Sequence, residues 1–279
     1  MNEQNESVSE VKKPRKKISF AHGQELSPDD APALPLWVDG HAYLLMADRF
    51  YDLRSPSGEP LRRVPLYGAD AVSIVLASSE RGAALWRSVD AAAQSAMFNA
   101  VAESLGRYAN HFAKLLIEET GMTDETARAE IAAAQAALSD RGDASVGGTD
   151  AVVAVLASAD APLAVPLARA LEALQAGAVV VLKPSPKAPS ALFACAELFA
   201  RAGMVPGALN VLHGDEEAIR ALVSAESPSA RVAAVVFTGE GVLAEKVGDI
   251  VRSTGVPYVS GASDRNSRDG WQQALKDLA

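Results

Sequence analysis

One cysteine, Cys195, stands in 279 residues, so no disulfide can close within the chain. That scarcity fits a reducing compartment, and the cytoplasm is the expected location. No apolar run approaches the roughly 20 residues of a membrane span, and the polar N-terminus has no apolar stretch of the secretory kind. The four histidines (His22, His41, His111 and His213) are scattered without ligand spacing, so no metal site is expected. Aromatic residues make up only 5% of the chain. Trp37, Trp86 and Trp271 form no stacking platform and are expected to act as packing anchors. Phosphate-loop, nucleophile-elbow and Cys-x-x-Cys patterns are also missing.

Basic charge is scarce outside the N-terminus. Residues 1–20 hold Lys12, Lys13, Arg15, Lys16 and Lys17 against Glu3, Glu6 and Glu10, a local +2 within a chain of net −9. The remainder is therefore at −11, which argues against nucleic acid as a partner, because phosphate contacts need a basic face. Residues 1–30 read as a flexible basic arm, either solvated or able to touch an acidic partner.

With 49% hydrophobic residues, 31–279 can bury one core with a helical annex. Residues 36–66 alternate apolar and polar around Asp39-Gly40 and Ser57-Gly58, which predicts short strands in a hairpin or meander. Alanine-rich sequence then predicts three helices at about 69–85, 89–119 and 123–138, stopped by Gly121 and Asp140-Arg141-Gly142. From Ala151 the apolar runs AVVAVLA, AVVVL, ALNVL, VAAVVF and VPYV alternate with helical segments near 162–175, 188–202, 215–224 and 240–254. Unbroken apolar strands at that spacing predict an α/β fold, a Rossmann-like, doubly wound parallel sheet of five strands.

Several blocks carry a family resemblance: FYDLRSPSGEPLRRVP (50–65), EETGM (118–122), Gly177 with AVVVLKPS, APSALFACAELFARAGMVPGALNVLHGD, and VFTGE (236–240). In this order, across about 36–262, they resemble the NAD-binding domain of the aldehyde dehydrogenase superfamily. The departures fall on the chemistry. Where the family has Pro-Trp-Asn-Phe-Pro, the chain reads Ser158-Ala159-Asp160-Ala161-Pro162. The resemblance implies an oxyanion-donating asparagine at Asp160, and an ionised carboxylate has no proton to donate. The general-base glutamate of the family would fall in VSGASD (259–264), where Gly261 stands instead. The sequence ends at Ala279, before the family's nucleophilic cysteine would be met. Cys195 lies on an apolar helix face with Leu192, Leu198 and Phe199 and is read as core.

Lys183, Ser185, Gly214, Thr238 and Gly239 match the cofactor-binding blocks, and the resemblance implies a vestigial NAD(P) site there. The lysine would hold the adenosine ribose, but its partner glutamate is replaced by Pro186, and Glu240 stands at the helix start beneath the pyrophosphate. Read without the family, Lys183 is a surface charge at a strand end, Asp215 a helix N-cap, His213 a loop histidine, and Thr238-Gly239 a tight turn. The whole pattern is similar to the degenerate, non-catalytic dehydrogenase-like domain of long two-domain aldehyde dehydrogenases and bifunctional proline-catabolic enzymes. That similarity implies an accessory subunit for a catalytic aldehyde dehydrogenase, or self-association. Sheet edges left bare near residues 140–150 would favour such a partner. The alternatives are an NAD(P)-binding sensor module, or an oxidoreductase subunit whose active site a partner chain completes.

Overall fold

The computed structural model describes residues 33–139, 151–225, 231–261 and 265–278. The arm at 1–30, the stop at Asp140-Arg141-Gly142 and the edge at 140–150 lie outside these residues.

Residues 36–66 form two hairpins rather than one. Strands β1 (Leu36–Val38) and β2 (His41–Tyr43) turn at Asp39-Gly40, where both residues take positive φ (53° and 77°). That geometry suits the twist of a tight hairpin. Strands β3 (Phe50–Arg54) and β4 (Pro60–Pro65) pair separately as a two-stranded sheet. The two hairpins differ in their apolar pattern. Strand β1 is buried along its whole length, so it needs cover on both faces, and Trp37 pairs antiparallel with Val211 of the main sheet.

The annex has four helices: α1 (Ala69–Trp86), α2 (Ala91–Arg107), α3 (Ala109–Thr120) and α4 (Asp124–Ser139). The single helix expected at 89–119 is broken at Tyr108, whose ψ of 14° leaves the helical basin. Asp90 caps α2 by accepting the Ala93 N–H at 2.7 Å, and Gly121, the expected stop, ends α3 in the left-handed conformation.

The α/β part then runs β5 (Val152–Leu156), α5 (Ala164–Gln175), β6 (Val179–Lys183), α6 (Ser190–Arg201), β7 (Leu209–Val211), α7 (Glu216–Ser224), β8 (Val232–Phe237), α8 (Gly241–Arg252), β9 (Tyr258–Ser260) and α9 (Arg265–Lys276). Helix α9 was not anticipated. The sheet order is β2-β1-β7-β6-β5-β8-β9, and the five strands β7 to β9 in that order are mutually parallel. This is the expected doubly wound core, enlarged to seven strands by the N-terminal hairpin. The edge at β7 is therefore covered by the chain itself, and β2 and β9 become the outer strands.

Helices α5, α6 and α9 line one face with α2, α3 and α4 stacked outside them, while α1, α7 and α8 associate on the other. Trp86 and Trp271 are fully buried, and both donate their indole N–H to α5 carbonyls, of Leu174 at 2.9 Å and Arg169 at 3.2 Å. Removing a side chain of that size from a packed core typically costs about 3–5 kcal/mol. Two annex glutamates reach the starts of sheet helices. Glu130 accepts the Ala164 N–H at 2.9 Å, and Glu119 accepts the Ser190 N–H at 3.1 Å. Each places a carboxylate at a helix N-terminus, where exposed N–H groups and the dipole favour negative charge.

Candidate functional site

Strand order reverses between β5 and β8, and their carboxyl ends define the crevice where open α/β sheets bind ligands. Here the β5–β8 ladder continues past the strand ends. The Ser158 N–H reaches Thr238 Oγ1 at 3.3 Å, Thr238 N–H donates to Leu156 O at 2.9 Å, and Ala161 N–H approaches Ser158 Oγ at 3.4 Å. Gly239 is pressed on the Phe237 ring so closely that a Cβ would lie 2.4 Å from it. Thr238 and Gly239 are thus buried parts of a tight turn. Asp160 is exposed beyond it. Gly261 is buried, extends the ladder by donating its N–H to Phe237 O at 3.1 Å, and has φ 125°. That backbone disfavours any side chain, glutamate included.

One strand further along, at the ends of β6 and β7, the polar groups are not paired. Lys183 is only 5% exposed, which corrects the expectation of a surface charge. Its position ends the apolar run of β6, and residues distant in sequence cover it. Burial pushes its ammonium down to about 8, opposed by the carboxylate of Asp215. His213 is no exposed loop residue either. It is 1% exposed, its ring packs 6.0 Å from that of Phe193, and neither ring nitrogen has a hydrogen-bond partner. Burial and the Lys183 charge lower it to about 4, so it stays neutral; the Pro35 carbonyl pulls weakly the other way from outside bonding geometry. Asp215 caps α7 as expected, accepting the Glu217 N–H at 3.0 Å, and Arg49 holds its other oxygen at 3.0 Å and Glu217 at 2.6 Å.

The candidate residues thus separate. Lys183 and Gly214 sit with His213 and Asp215 at the β6–β7 end, whereas Thr238 and Gly239 belong to the β5–β8 turn. Gly214 is buried against Tyr67, its neighbour in space. Ser185 lies in the loop after β6, where its hydroxyl accepts the Lys187 N–H at 3.3 Å. No pattern in the sequence signals Arg49, which precedes β3 and reaches Asp215 across the fold. Cys195 is fully buried and its thiol is pushed up to about 12, so it is core, as read. Among the described residues, no cluster of three His, Cys, Asp or Glu side chains could hold a metal ion, and no helix is long and apolar enough to cross a membrane.

A further buried group closes the far end of the loop after β6. Glu119, besides the Ser190 N–H, faces Arg62 Nε at 3.4 Å, and Arg62 in turn donates to Ser190 Oγ at 2.8 Å. Burial raises the Glu119 carboxyl above its ordinary range, more than Ser190 and Arg62 lower it.

The described chain is therefore an α/β protein of dinucleotide-domain type, with a helical annex and a lysine at the end of its second parallel strand. The aldehyde dehydrogenase family model matches residues 46–144 and 150–260. The chain belongs to the aldehyde dehydrogenase family. It is 31% identical over 219 residues to a malonate-semialdehyde dehydrogenase of Pseudomonas aeruginosa, covering 71% of this chain and 43% of that enzyme. An N-succinylglutamate 5-semialdehyde dehydrogenase of Burkholderia mallei is 29% identical over 201 residues, covering 65% and 41%. A putative methylmalonate-semialdehyde dehydrogenase from Sinorhizobium meliloti, solved with NAD, superposes with a TM-score of 0.75 at 21% identity, over 83% of this chain and 50% of its own. The chain thus spans about half the length of these relatives.

Proposed function

We propose that this chain is a non-catalytic, aldehyde-dehydrogenase-like accessory subunit that assembles with a catalytic aldehyde dehydrogenase. The observation that carries this reading is the state of the two catalytic positions within the matched segment. Asp160, in the place of the oxyanion-donating asparagine, offers no proton when ionised. Gly261, in the place of the base, sits on a backbone unsuited to a glutamate. Strands β5 and β8 beside them stay largely buried, which supports a fold kept apart from that chemistry. The names of the relatives suggest a partner acting on semialdehydes. The test is affinity purification of the tagged chain from its own cells, followed by light scattering of the purified species. A catalytic aldehyde dehydrogenase at near-equal stoichiometry supports the proposal, and a monomer that retains no dehydrogenase refutes it.

A second reading, an NAD(P)-binding module, is favoured by Lys183, whose ammonium lacks an acceptor among the described residues at the end of β6. The residues fit the cofactor only in part. Lys183 could meet a ribose hydroxyl, but Pro186 supplies no carboxylate, and exposed Glu240 opposes phosphate at the start of α8. When bound, NAD(P) would supply hydride acceptance, and this chain would contribute binding alone. Calorimetric titration with NAD, repeated on Lys183→Ala, decides that point.

A further inference from the structure

Among the lysines at described positions, Lys183 has surroundings unlike the rest. Lys114 and Lys246 pair with Glu118 and Glu216, and Lys187 and Lys276 lie in solvent. Lys183 is buried at the carboxyl end of β6 without an acceptor in hydrogen-bond range among the described residues. Its Nζ is nevertheless not among the fully enclosed atoms without a hydrogen bond, which among the described residues are Glu119 Oε1 (ion-paired with Arg62 at 3.4 Å), Arg169 Nε and the two nitrogens of His213, so the amine still meets solvent at the strand end. The nearest opposing charge is Asp215, and Arg49 holds that carboxylate in an ion pair at 3.0 Å, which restrains it from locking the ammonium. Beside the amine stands the neutral, unpartnered imidazole of His213, which adds no positive charge.

We propose that Lys183 is a carbonyl-capturing amine that takes up a small aldehyde as an imine. Desolvated lysines are the ordinary source of such nucleophiles. The free amine adds its lone pair to the aldehyde carbon, and the carbonyl oxygen takes a proton to give a carbinolamine. Loss of the nitrogen proton and departure of the hydroxyl as water leave the C=N bond, so no oxidant or reductant takes part. The Asp215 carboxylate is placed to balance the positive charge of a protonated imine. With the ammonium lowered to about 8, the free-amine fraction at pH 7 is on the order of 300 times that of an ordinary lysine. The capture needs no second subunit and stands independently of the accessory role.

The test uses the chain alone at pH 7 with propionaldehyde and sodium cyanoborohydride, which reduces an imine to a stable N-propyl adduct, followed by peptide mapping over time. Lys183 is expected to be labelled at least ~10-fold faster than Lys187 and Lys276, and Arg49→Ala, which frees Asp215 to hold the ammonium, is expected to slow Lys183 several-fold. Labelling of Lys183 no faster than those exposed lysines overturns the proposal. Because the comparison is made between lysines of one folded molecule, it does not depend on a Lys183 variant that folds.

Discussion

The loop at residues 184–189 has buried charge at both ends, and the two ends are finished in opposite ways. At its far end the acid Glu119 is met by the Ser190 N–H and by Arg62, a base that also bonds the Ser190 hydroxyl. At its near end the bases Lys183 and His213 are buried, and neither has a protein hydrogen-bonding partner among the described residues. One end is a clamp that joins the annex and the β3–β4 hairpin to the sheet domain. The other carries an energetic cost that packing alone does not repay, which is the usual mark of a group kept for a ligand or a reaction. Burial by itself therefore does not separate structure from function here; partnership does.

If the comparison is right, removing charge from the two ends should have opposite signs. The largest effect is expected from Glu119→Ala, which strands Arg62 and the Ser190 N–H and should lower stability by about 3 kcal/mol, read from urea denaturation. Lys183→Met should instead stabilise the protein at pH 7, by roughly 2 kcal/mol. The pH dependence sharpens this. The folded Lys183 value is below its unfolded value, so the penalty is fully present below about 8, where both states are charged. Between about 8 and 10.5 the unfolded chain binds more protons, and wild-type stability should climb toward that of Lys183→Met. A constant gap between the two proteins across that range would show that Lys183 carries no burial penalty. Next comes Gly239→Ala at the β5–β8 strand ends, where the added methyl must displace Phe237 or Ser158 and should cost about 1–2 kcal/mol by the same denaturation assay. The smallest effect is expected from Arg49→Ala, an exposed pair whose loss should leave the denaturation midpoint unchanged while altering the reactivity of Lys183.

Much of the architecture was legible because the β5, β6 and β8 runs are valine-rich and apolar on both faces, the pattern of strands in a doubly covered parallel sheet. The break at Tyr108 was not, since nothing in NAVAESLGRYANHF interrupts the helical period; the turn there follows from α2 and α3 both having to reach α4 and α6. At the site, Gly239 and Thr238 were readable as a turn, and Asp215 as a cap. The depth of Lys183 and His213 was not readable, because a residue ending an apolar strand is equally compatible with solvent or with cover. Here that cover comes from elements far away in the chain, Pro35 and Phe193 among the groups around His213. Arg49 was missed for the same reason, its partners being Asp215 and Glu217.

The N-terminal hairpin also bears on the order in which the molecule forms. Its Asp39 N–H donates to the Asn210 side chain at 3.3 Å, across 171 residues of sequence, and Trp37 meets Val211 on the same strand. A growing chain makes β1 and β2 early, yet their docking edge does not exist until β7 has been synthesised and laid beside β6. Closing so long a loop is slow relative to local helix formation. β1 and β2 are thus expected to dock late, and until then Leu36, Trp37 and Val38 offer an apolar edge that a folding chaperone would hold.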